Sequence, residues 1–478
     1  MIFCQLETLR HCFPSSVRRT LDSLPESLDE TYERVLREIK KPNRDHAFRL
    51  LQCLVVATRP LRVEELAEVL AVDFDVEDGI PTLNTSWRWE DQEQALLSSC
   101  SSLISIVHGN GGDDKINKVE HEVDKNEDKD EDDEDNEDDK SEDDSNDHDN
   151  ARVVQFSHFS VKEFLTSPRL AAPIRDVSHY YIGLEPAHTI MAQACLSVLL
   201  RSDVRVDRDD ISNNSPLAKY AAEHWATHAQ FKNVSSYLRQ PMECLFDMDR
   251  PYFASWLALH DIDTRPAVGT PFYAVTFGNR TSRAGPTYYA ALCGFRDLTE
   301  HLIVKNPQGV KDSGGYYVTP CLAALAGRHF QLAHLLHCNG SSVNTWSPHG
   351  NSPLHDASGL GDVQMIRILL EFKADINAQN VVGATPLHWA VVYPELSDAV
   401  SVLLEQGADP NISIHDGATP LYGAAAMGFV TKAHLLLKHG AGVNAADKWG
   451  KTALQRAQGR GYDEMVTLLL AHGANVSS

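Results

Sequence analysis

A short motif that returns about every 33 residues constrains the fold of this chain more than any other feature. A Thr or Ser opens each copy, usually followed by Pro and Leu, at Thr319-Pro320, Ser352-Pro353-Leu354-His355, Thr385-Pro386-Leu387-His388, Thr419-Pro420-Leu421-Tyr422 and Thr452-Ala453-Leu454-Gln455. The steps between equivalent positions are 33, 33, 34 and 33, and Pro286 stands a further step of 34 upstream of Pro320. This period predicts a stack of similar units, because one short unit cannot bury its own apolar face.

The second half of each unit carries a Leu pair, a turn of small residues and an Asn, as in Gly407–Asn411. Thr-Pro predicts the start of a helix, since Thr caps free amides and Pro costs little at the first helical position. Together with the T-P-L-H core, these features resemble the ankyrin repeat. The resemblance implies two helices and a β-hairpin loop per unit. We expect six units over residues 284–478, beginning near Gly285, Tyr316, Gly350, Gly383, Gly417 and Gly450.

Within these units, side chains divide into a predicted core, a predicted cap and a predicted binding surface. In the fourth unit we expect Leu387, Ala390, Leu403 and Leu404 to face the neighbouring units. In the sixth, the polar first helix is typical of a solvent-facing cap; it carries Gln455, Arg456, Gln458 and Arg460.

The resemblance implies that a partner binds at the hairpin tips and on the inner helix face. The candidate partner-binding residues are Trp346, Pro348, His349, Val381, Val382, His415, Asp416, Lys448 and Trp449. Several of these are apolar where solvent is expected, and aromatic side chains are favoured as binding anchors. The resemblance also implies that His355 and His388 hydrogen-bond to backbone of the adjoining loop. We expect Trp389 to pack in the core rather than to contact a partner.

Composition excludes several classes of protein. Hydrophobic residues make up 42% of the chain, but no stretch approaches the roughly 20 apolar residues of a membrane span. The N-terminus lacks the pattern of a secretion signal. The nine cysteines contain no C-x-x-C pair, which favours free thiols in the cytoplasm, with the nucleus as an alternative. His224 and His228 lie one helical turn apart without a third ligand nearby, so we expect no metal site.

One segment accounts for most of the net charge of −24. Residues 113–149 contain 21 Asp or Glu and five Lys, a balance of −16. Such a run cannot collapse around an apolar core, and we expect residues 113–150 to be a disordered acidic insertion. It lacks the glycine of an EF-hand loop, which argues against specific calcium binding.

Residues 1–170 predict a winged-helix-like domain. Helices are expected after Ser27, from Asp45 to Ala57 and from Val63 to Leu70. Two strands, Cys100–Val107 and Arg152–Ser157, flank the acidic insertion, and a further helix runs through Val161–Leu165. Residues 171–283 predict a helical bridge before the repeats. The fold class is therefore mainly α, with a winged-helix-like module, a helical bridge and an ankyrin-repeat solenoid with β-hairpin loops.

Several segments of this region are similar to the part that follows the nucleotide-binding core in fungal NACHT-type signalling ATPases. They are Leu24-Pro25, Leu28–Tyr32, Arg59-Pro60-Leu61 with Glu64–Ala67, Cys100–Leu103 and Phe156–Leu165. The helical stretch from Pro186 to Asp261, which contains Tyr220–Trp225, also resembles the bridge that these proteins place before their repeats. Those proteins often end in ankyrin repeats, in the same order as here. The resemblance implies a role in signal transduction.

The phosphate-binding loop of that family is missing from this sequence. Gly450-Lys451-Thr452 ends like such a loop, but Ala445 stands at the first glycine position and the segment lies inside a repeat. Either the chain works without the ATPase core, or the sequence is a truncated form of a longer one. The resemblance also implies that His158 could touch a nucleotide's phosphate if another chain supplied the core; otherwise it ties a strand to the following helix.

The leading functional hypothesis is a non-catalytic adaptor that binds a protein through its repeats, without cofactor, membrane or small-molecule substrate. The alternative is a regulatory fragment of a NACHT-type NTPase that acts with a core in trans. A winged-helix DNA-binding role is a third reading. We expect no nucleic-acid binding, because Glu64, Glu65 and Glu68 lie on the helix that would enter the groove and would repel phosphate. The chain has no G-x-S-x-G or H-E-x-x-H motif, so we expect no hydrolase activity.

Overall fold

The computed structural model describes residues 27–74, 76, 80–100, 102–108, 152–171, 177–201, 215–263, 284–347 and 350–475. The predicted acidic insertion, Leu24-Pro25, Pro348 and His349 lie outside this described part. The chain divides into two compact units. The N-terminal unit comprises Met1–Leu245 with Ala254–His260, and the C-terminal unit comprises Phe246–Phe253 with Asp261–Ser478.

Helices dominate the N-terminal unit. They are α1 (Leu28–Glu38), α2 (Arg44–Val56), α3 (Val63–Leu70), α4 (Gln92–Cys100), α5 (Phe159–Thr166), α6 (Leu184–Leu199), α7 (Ala218–Ala229), α8 (Val234–Tyr237), α9 (Arg239–Leu245) and α10 (Tyr252–Leu259), the last beginning in the other unit. Ser27 caps α1 as predicted, since its Oγ accepts the N–H of Glu30 at 3.2 Å.

The strands of this unit form two small antiparallel sheets. They are β1 (Leu61–Arg62), β2 (Val72–Asp73), β3 (Thr82–Leu83), β4 (Ile104–His108) and β5 (Arg152–Phe156). β5 lies between β1 and β4, with Leu61 opposite Val154 and Ile104 opposite Phe156, while β2 pairs with β3. The strand expected from Cys100 starts later, because Cys100 ends α4, a helix that periodicity did not reveal. Leu96 and Cys100 lie one turn apart and are both buried. The winged-helix interpretation stays a prediction.

Two carboxylates of α3 are structural, which contradicts the expectation that they would face nucleic acid. Glu65 is fully buried and receives two hydrogen bonds from Arg59, at 2.7 and 2.8 Å, and the N–H of Arg62 at 2.8 Å. Burial alone would raise the pKa of Glu65, but these donors hold it below its ordinary value. Glu68 is paired with Arg88 and accepts the N–H of Leu217 at 2.7 Å. Phosphate repulsion by these two side chains is therefore not an argument against DNA binding.

The C-terminal unit contains six pairs of helices that follow the period of the sequence motif. The pairs are α11 (Pro286–Leu292) with α12 (Arg296–Lys305), α13 (Pro320–Ala326) with α14 (Phe330–Cys338), α15 (Pro353–Leu360) with α16 (Val363–Glu371), α17 (Pro386–Val392) with α18 (Ser397–Glu405), α19 (Pro420–Met427) with α20 (Val430–Lys438), and α21 (Ala453–Arg460) with α22 (Asp463–Ala471). A Thr or Ser caps the first helix of each pair from α13 onward.

The core of this unit runs between successive pairs. The four side chains expected to face the neighbours, Leu387, Ala390, Leu403 and Leu404, are all buried. The loops expected as β-hairpins are tight turns, and one backbone hydrogen bond across the turn recurs in each. Its donor and acceptor recur at the repeat period as Gly314 and Val318, Ser347 and Asn351, Asn380 and Ala384, Ile414 and Ala418, and Asp447 and Lys451. Ala446 and Thr452 also pair as an isolated antiparallel β-bridge across the last of these turns, and the described residues of this unit contain no longer strand.

An acidic segment closes the first repeat. Buried Asp263 accepts the hydroxyl of Tyr288 at 2.8 Å and the N–H of Tyr316 at 2.9 Å. Asp261 likewise accepts the hydroxyl of Tyr289 at 2.8 Å, and the ring of Phe253 packs edge-on against Tyr289 at 5.6 Å. Residues 246–253 and 261–263 therefore cover the side of the first repeat that has no preceding repeat.

The extra residue of the fourth unit is accommodated by a lysine from the fifth. Helices α15, α19 and α21 end at a left-handed glycine whose N–H bonds back to the last turn, but α17 ends at Tyr393 without such a bond. The residue placed to donate to the carbonyl of Ala390 in a continued helix is Pro394, which has no N–H. Instead, Lys432 Nζ donates to the carbonyls of Ala390 at 2.9 Å, Val391 at 3.1 Å and Tyr393.

Lys432 is itself buried, with a relative exposure of 1%, and its ammonium lies 5.0 Å from the ring centroid of Phe429. Burial lowers its pKa to about 8. The lysine thus supplies the hydrogen bonds that the loop of the fourth unit cannot make for itself.

Within the residues that the structure describes, no helix combines the length and apolar character needed to cross a bilayer. Five of the described cysteines are buried free thiols: Cys53, Cys100, Cys195, Cys293 and Cys321. Burial raises the pKa of Cys53 to about 12, so this thiol stays protonated and unreactive at neutral pH.

Candidate functional site

The candidate surface is formed by the tips of the inter-repeat turns. In the turn after the third repeat, Asn380 Oδ1 accepts the N–H groups of Val382 at 3.1 Å and Ala384 at 2.9 Å. This asparagine turn projects Val381 and Val382 into solvent, where 60% and 53% of their surface is exposed. Two adjacent apolar side chains are therefore held outward by a fixed backbone.

Neighbouring tips are joined to each other by backbone hydrogen bonds. The N–H of His415 donates to the carbonyl of Val382 at 3.0 Å, and the N–H of Lys448 donates to the carbonyl of Asp416 at 2.7 Å. Gly417 makes the second approach possible, because it has φ +82° and an added Cβ would lie 2.9 Å from the nitrogen of Lys448. The tips that carry Val381 and Val382, His415 and Asp416, and Lys448 and Trp449 thus form one connected surface, which we call the tip surface.

The tip surface ends in a charged and aromatic cluster. Lys448 pairs with Asp416, and its ammonium lies 4.3 Å from the ring centroid of Trp449, which is 65% exposed. Asp447 fixes the turn beneath, since its carboxylate accepts the N–H groups of Trp449 at 3.0 Å and Lys451 at 2.8 Å. Burial acts to raise the pKa of Asp447, but these bonds and the Tyr422 hydroxyl hold it below its ordinary value.

Most of the predicted partner-binding residues meet on this surface. The structure brings together Val381, Val382, His415, Asp416, Lys448 and Trp449. Trp346, which is 51% exposed, directly precedes the preceding tip turn that begins at Ser347. Pro348 and His349 lie outside the described residues. Whether these side chains bind a partner stays a prediction.

The two motif histidines are structural. His355 Nδ1 accepts the N–H of Ser352 at 3.0 Å, so its proton is on Nε2, which donates to the carbonyl of Ala384 at 2.9 Å. His388 repeats this arrangement with the N–H of Thr385 at 3.1 Å and the carbonyl of Ala418 at 3.4 Å. Burial lowers the pKa of both histidines to about 4. They are neutral connectors between repeats rather than binding or catalytic groups.

Sequence reasoning missed a second exposed row, which occupies one equivalent position in four repeats. Leu360, Tyr393 and Met427 are 36–47% exposed, and Arg460 continues the row. The constant steps of 33, 34 and 33 between these positions were the signal that could have revealed them. Trp389 is half-buried beside this row and packs on the preceding repeat, since an added Cβ at Gly359 would lie 2.8 Å from its ring.

In the N-terminal unit, His158 is exposed and caps α5. Its Nδ1 accepts the N–H of Ser160 at 3.2 Å, and its ring lies 4.4 Å from that of exposed Phe159. The hydroxyl of Ser160 also meets Tyr32 Oη at 2.8 Å. His158 therefore caps α5 shortly after the end of β5, and its side chain is exposed. Its nucleotide-sensing role stays a prediction.

Of the two histidines considered for a metal, His228 belongs to a buried network with Tyr220 and His188. His228 Nε2 lies 2.9 Å from Tyr220 Oη, and His228 Nδ1 lies 2.9 Å from His188 Nδ1. Burial, with His188 and His224 nearby, lowers the pKa of His228 to about 3. Across the described ranges, no group of three His, Cys, Asp or Glu side chains could hold a metal ion.

Comparison with known proteins places the repeats. A family model described as "Ankyrin repeats (3 copies)" matches residues 287–414 and 387–478. A solved ankyrin repeat domain from Acinetobacter baumannii is 31% identical, covers 40% of this chain and 98% of its own, and has a TM-score of 0.36.

Two curated relatives also match. "Azaphilone pigments biosynthesis cluster protein L" from Monascus ruber is 28% identical over 334 residues, 68% of this chain and 61% of that protein. A putative ankyrin repeat protein of fowlpox virus is 40% identical over 65 residues, 13% of each chain. This chain therefore spans less than two thirds of the length of either relative. The family match and the six helix pairs agree, and the C-terminal part of the chain is an array of ankyrin repeats.

Proposed function

We propose that this chain is a non-catalytic adaptor that captures a protein partner on the tip surface. Ankyrin repeats are protein-interaction modules, and the observation that carries the assignment is the connected set of exposed Val381, Val382 and Trp449. The backbone bonds between tips support a preorganised surface, which loses little conformational entropy when a partner binds. The buried free thiols support an intracellular location for this activity.

The polar groups of this surface favour specificity rather than affinity. The Asp416–Lys448 pair is about half exposed, and such pairs contribute about 0–1 kcal/mol. Because the Asp416–Lys448 pair lies next to Trp449, the surface places an apolar side chain beside an ion pair of fixed orientation. A partner is therefore expected to place an apolar side chain on Trp449 and a polar group on the ion pair.

The test is capture of binding partners by the full chain and by two tip variants. Trp449→Ala and Val382→Asp remove exposed side chains, so we expect thermal unfolding to stay nearly unchanged while partner capture falls. Tyr237→Ala, which removes an exposed aromatic of the N-terminal unit, is the matched control. If both tip variants capture the same proteins in the same amounts as the wild type, the chosen surface is wrong.

A second candidate function is a regulatory fragment of a NACHT-type NTPase that acts with a core in trans. The exposed position of His158 beside Phe159 favours it, since a partner could reach this ring. We expect no nucleotide binding by the chain alone, and micromolar affinity in calorimetry would contradict this. If a core acts in trans, adding it should produce nucleotide binding that His158→Ala weakens.

DNA binding is the weaker proposal, although repulsion by Glu65 and Glu68 no longer argues against it. In the structure α4, not α3, directly precedes β4, so α4 is the helix that would enter the groove in the winged-helix interpretation. It contains no Lys or Arg among its nine residues and carries Glu93. Nucleic-acid affinity depends on such cations. Tight binding of a labelled duplex at low salt would overturn this reasoning.

A further inference from the structure

The row missed by sequence reasoning has a defined place in each repeat. Leu360, Met427 and Arg460 are the last residues of α15, α19 and α21, and Tyr393 directly follows α17. We call these four residues the helix-end row. The row is a different set of side chains from the tip surface and lies at the opposite end of the first helices.

Three members of the helix-end row expose apolar surface that nothing in the repeats covers. Val392, 47% exposed, lies beside Tyr393 and widens the patch. Tyr393 lies against the preceding repeat, since an added Cβ at Gly359 would be 3.5 Å from its Cε2. The third, fourth and fifth repeats thus present adjoining apolar side chains, as protein-binding sites do.

The sixth repeat ends the row with positive charge. Arg460 lies one turn after Arg456 on α21, a helix without Asp or Glu. Neither arginine forms an ion pair within the described residues. Arg456 Nε is buried without an acceptor, and its guanidinium lies 5.9 Å from the ring centroid of Tyr422. These cations are free to receive negative charge from a ligand.

The spacing of the row indicates the form of that ligand. Neighbouring packed helices lie about 8–10 Å apart, which sets the distance between successive row members. An α-helix rises about 10.5 Å in seven residues and returns to nearly the same face. Side chains seven residues apart on a bound helix would therefore meet successive members of the row.

Resting on the proposed function as a protein-binding array, we propose that the helix-end row binds an amphipathic α-helix of another protein. Its first turn carries Asp or Glu, which meets Arg456 and Arg460, and apolar side chains follow at seven-residue steps to meet Met427, Tyr393 and Leu360. This direction is favoured because carboxylates are stabilised at the N-terminal end of a helix, where the dipole is positive.

The test uses two synthetic 25-residue helical peptides and the full chain, with binding measured by fluorescence anisotropy. Both carry Leu at positions 8, 15 and 22; one has Glu throughout its first turn and the other has Lys. We expect the Glu peptide to bind at least tenfold more tightly than the Lys peptide, with the difference reduced by salt. Equal binding of the two peptides, or no binding of either, would overturn the proposal.

Variants of the chain separate the charged end from the apolar end. In Arg456→Glu/Arg460→Glu the preference should reverse, with the Lys peptide now bound at least tenfold more tightly. Leu360→Ser/Met427→Ser should weaken both peptides, whereas Lys438→Glu, at an exposed position on α20, should change neither affinity more than twofold. Circular dichroism confirms that each variant is folded. An unchanged preference after charge reversal would refute the assigned site, and a Pro-interrupted peptide that binds equally well would refute the helical form.

The tip variants distinguish this proposal from the proposed function. Trp449→Ala and Val382→Asp should bind the Glu peptide as the wild type does, because their side chains lie on the other surface. If no peptide binds but the tip variants still lose partner capture, the helix-end row is refuted and the tip surface stands.

Discussion

Replacing Lys432 with Met should destabilise the repeat array, although the lysine belongs to neither of the two proposed binding surfaces. The change removes the donor to three carbonyls at the end of α17 while keeping a side chain of similar length. Ala390 and Val391 are buried, so water cannot replace the ammonium at their carbonyls, whereas half-exposed Tyr393 can be solvated. Each buried carbonyl left without a donor costs about 1–3 kcal/mol.

Two such carbonyls set a loss of about 2–6 kcal/mol. Burial of the ammonium acts in the opposite direction, as the lowered pKa of Lys432 shows, and Met is free of that cost. We therefore expect a net loss near the lower end, about 2–3 kcal/mol. For an array of about 200 residues this corresponds to a fall in melting temperature of roughly 4–12 °C.

The assay is urea and thermal unfolding of the full chain, monitored by far-ultraviolet circular dichroism. Lys438→Met is the matched control, since Lys438 ends the same helix but is exposed; we expect a loss below about 1 kcal/mol. A Lys432→Met variant that unfolds within about 0.5 kcal/mol of the wild type would refute the assigned role. The same holds if Lys438→Met is equally damaging.

Three further predictions follow from the contacts between repeats. The pKa of His355 is about 4 in the folded chain and about 6.5 in the unfolded chain, so the unfolded chain binds more protons between these values and stability is lost as pH falls from about 6.5 to about 4. His355→Gln, which copies Gln455 of the sixth repeat, should weaken this dependence of stability on pH when it is measured by denaturant titration. An unchanged dependence of stability on pH would contradict this prediction. Asp263→Ala removes the acceptor for the Tyr288 hydroxyl and the Tyr316 N–H and should cost about 2 kcal/mol in thermal unfolding, whereas a neutral effect would disprove its capping role. Gly417→Ala places a Cβ at φ +82° against the backbone of Lys448 and should cost about 1–3 kcal/mol while impairing partner capture; capture at the wild-type level would show that the tips need no fixed spacing.

The repeat architecture was readable from sequence because its determinants are local. Thr385 and Pro386 start a helix through capping and a fixed φ, and Leu387 and Ala390 mark the buried face at helical spacing. The tip turns were also readable, since each follows a small-residue segment at a constant distance from the motif. The resemblance to ankyrin repeats placed the expected binding residues at these tips, and Trp449 is among those that the structure exposes.

The contacts that side chains make with distant segments of the chain could not be predicted from the sequence. Glu65 and Glu68 looked like a charged helix surface, but Arg59 and Arg88 reach them from other segments. The extra residue near Pro394 was noticed, yet its partner Lys432 lies far along the chain and belongs to the next repeat. Helix α4 carries a weak apolar pattern, with three buried residues among nine, which explains why a strand was predicted to begin at its end.

The contacts of Asp261 and Asp263 decide where this chain can be cut. A fragment that begins at residue 284 would lose the acceptors of the Tyr288 and Tyr289 hydroxyls. It would also lose the Phe253 ring that packs on Tyr289, and Asp247, whose Oδ1 lies 3.0 Å from Lys305 Nζ. The tyrosine rings of its first repeat would then be exposed to water, and we expect such a fragment to self-associate. A fragment that starts before Phe246 keeps the residues that cover the first repeat, so we expect limited proteolysis from the N-terminal side to stop before that residue.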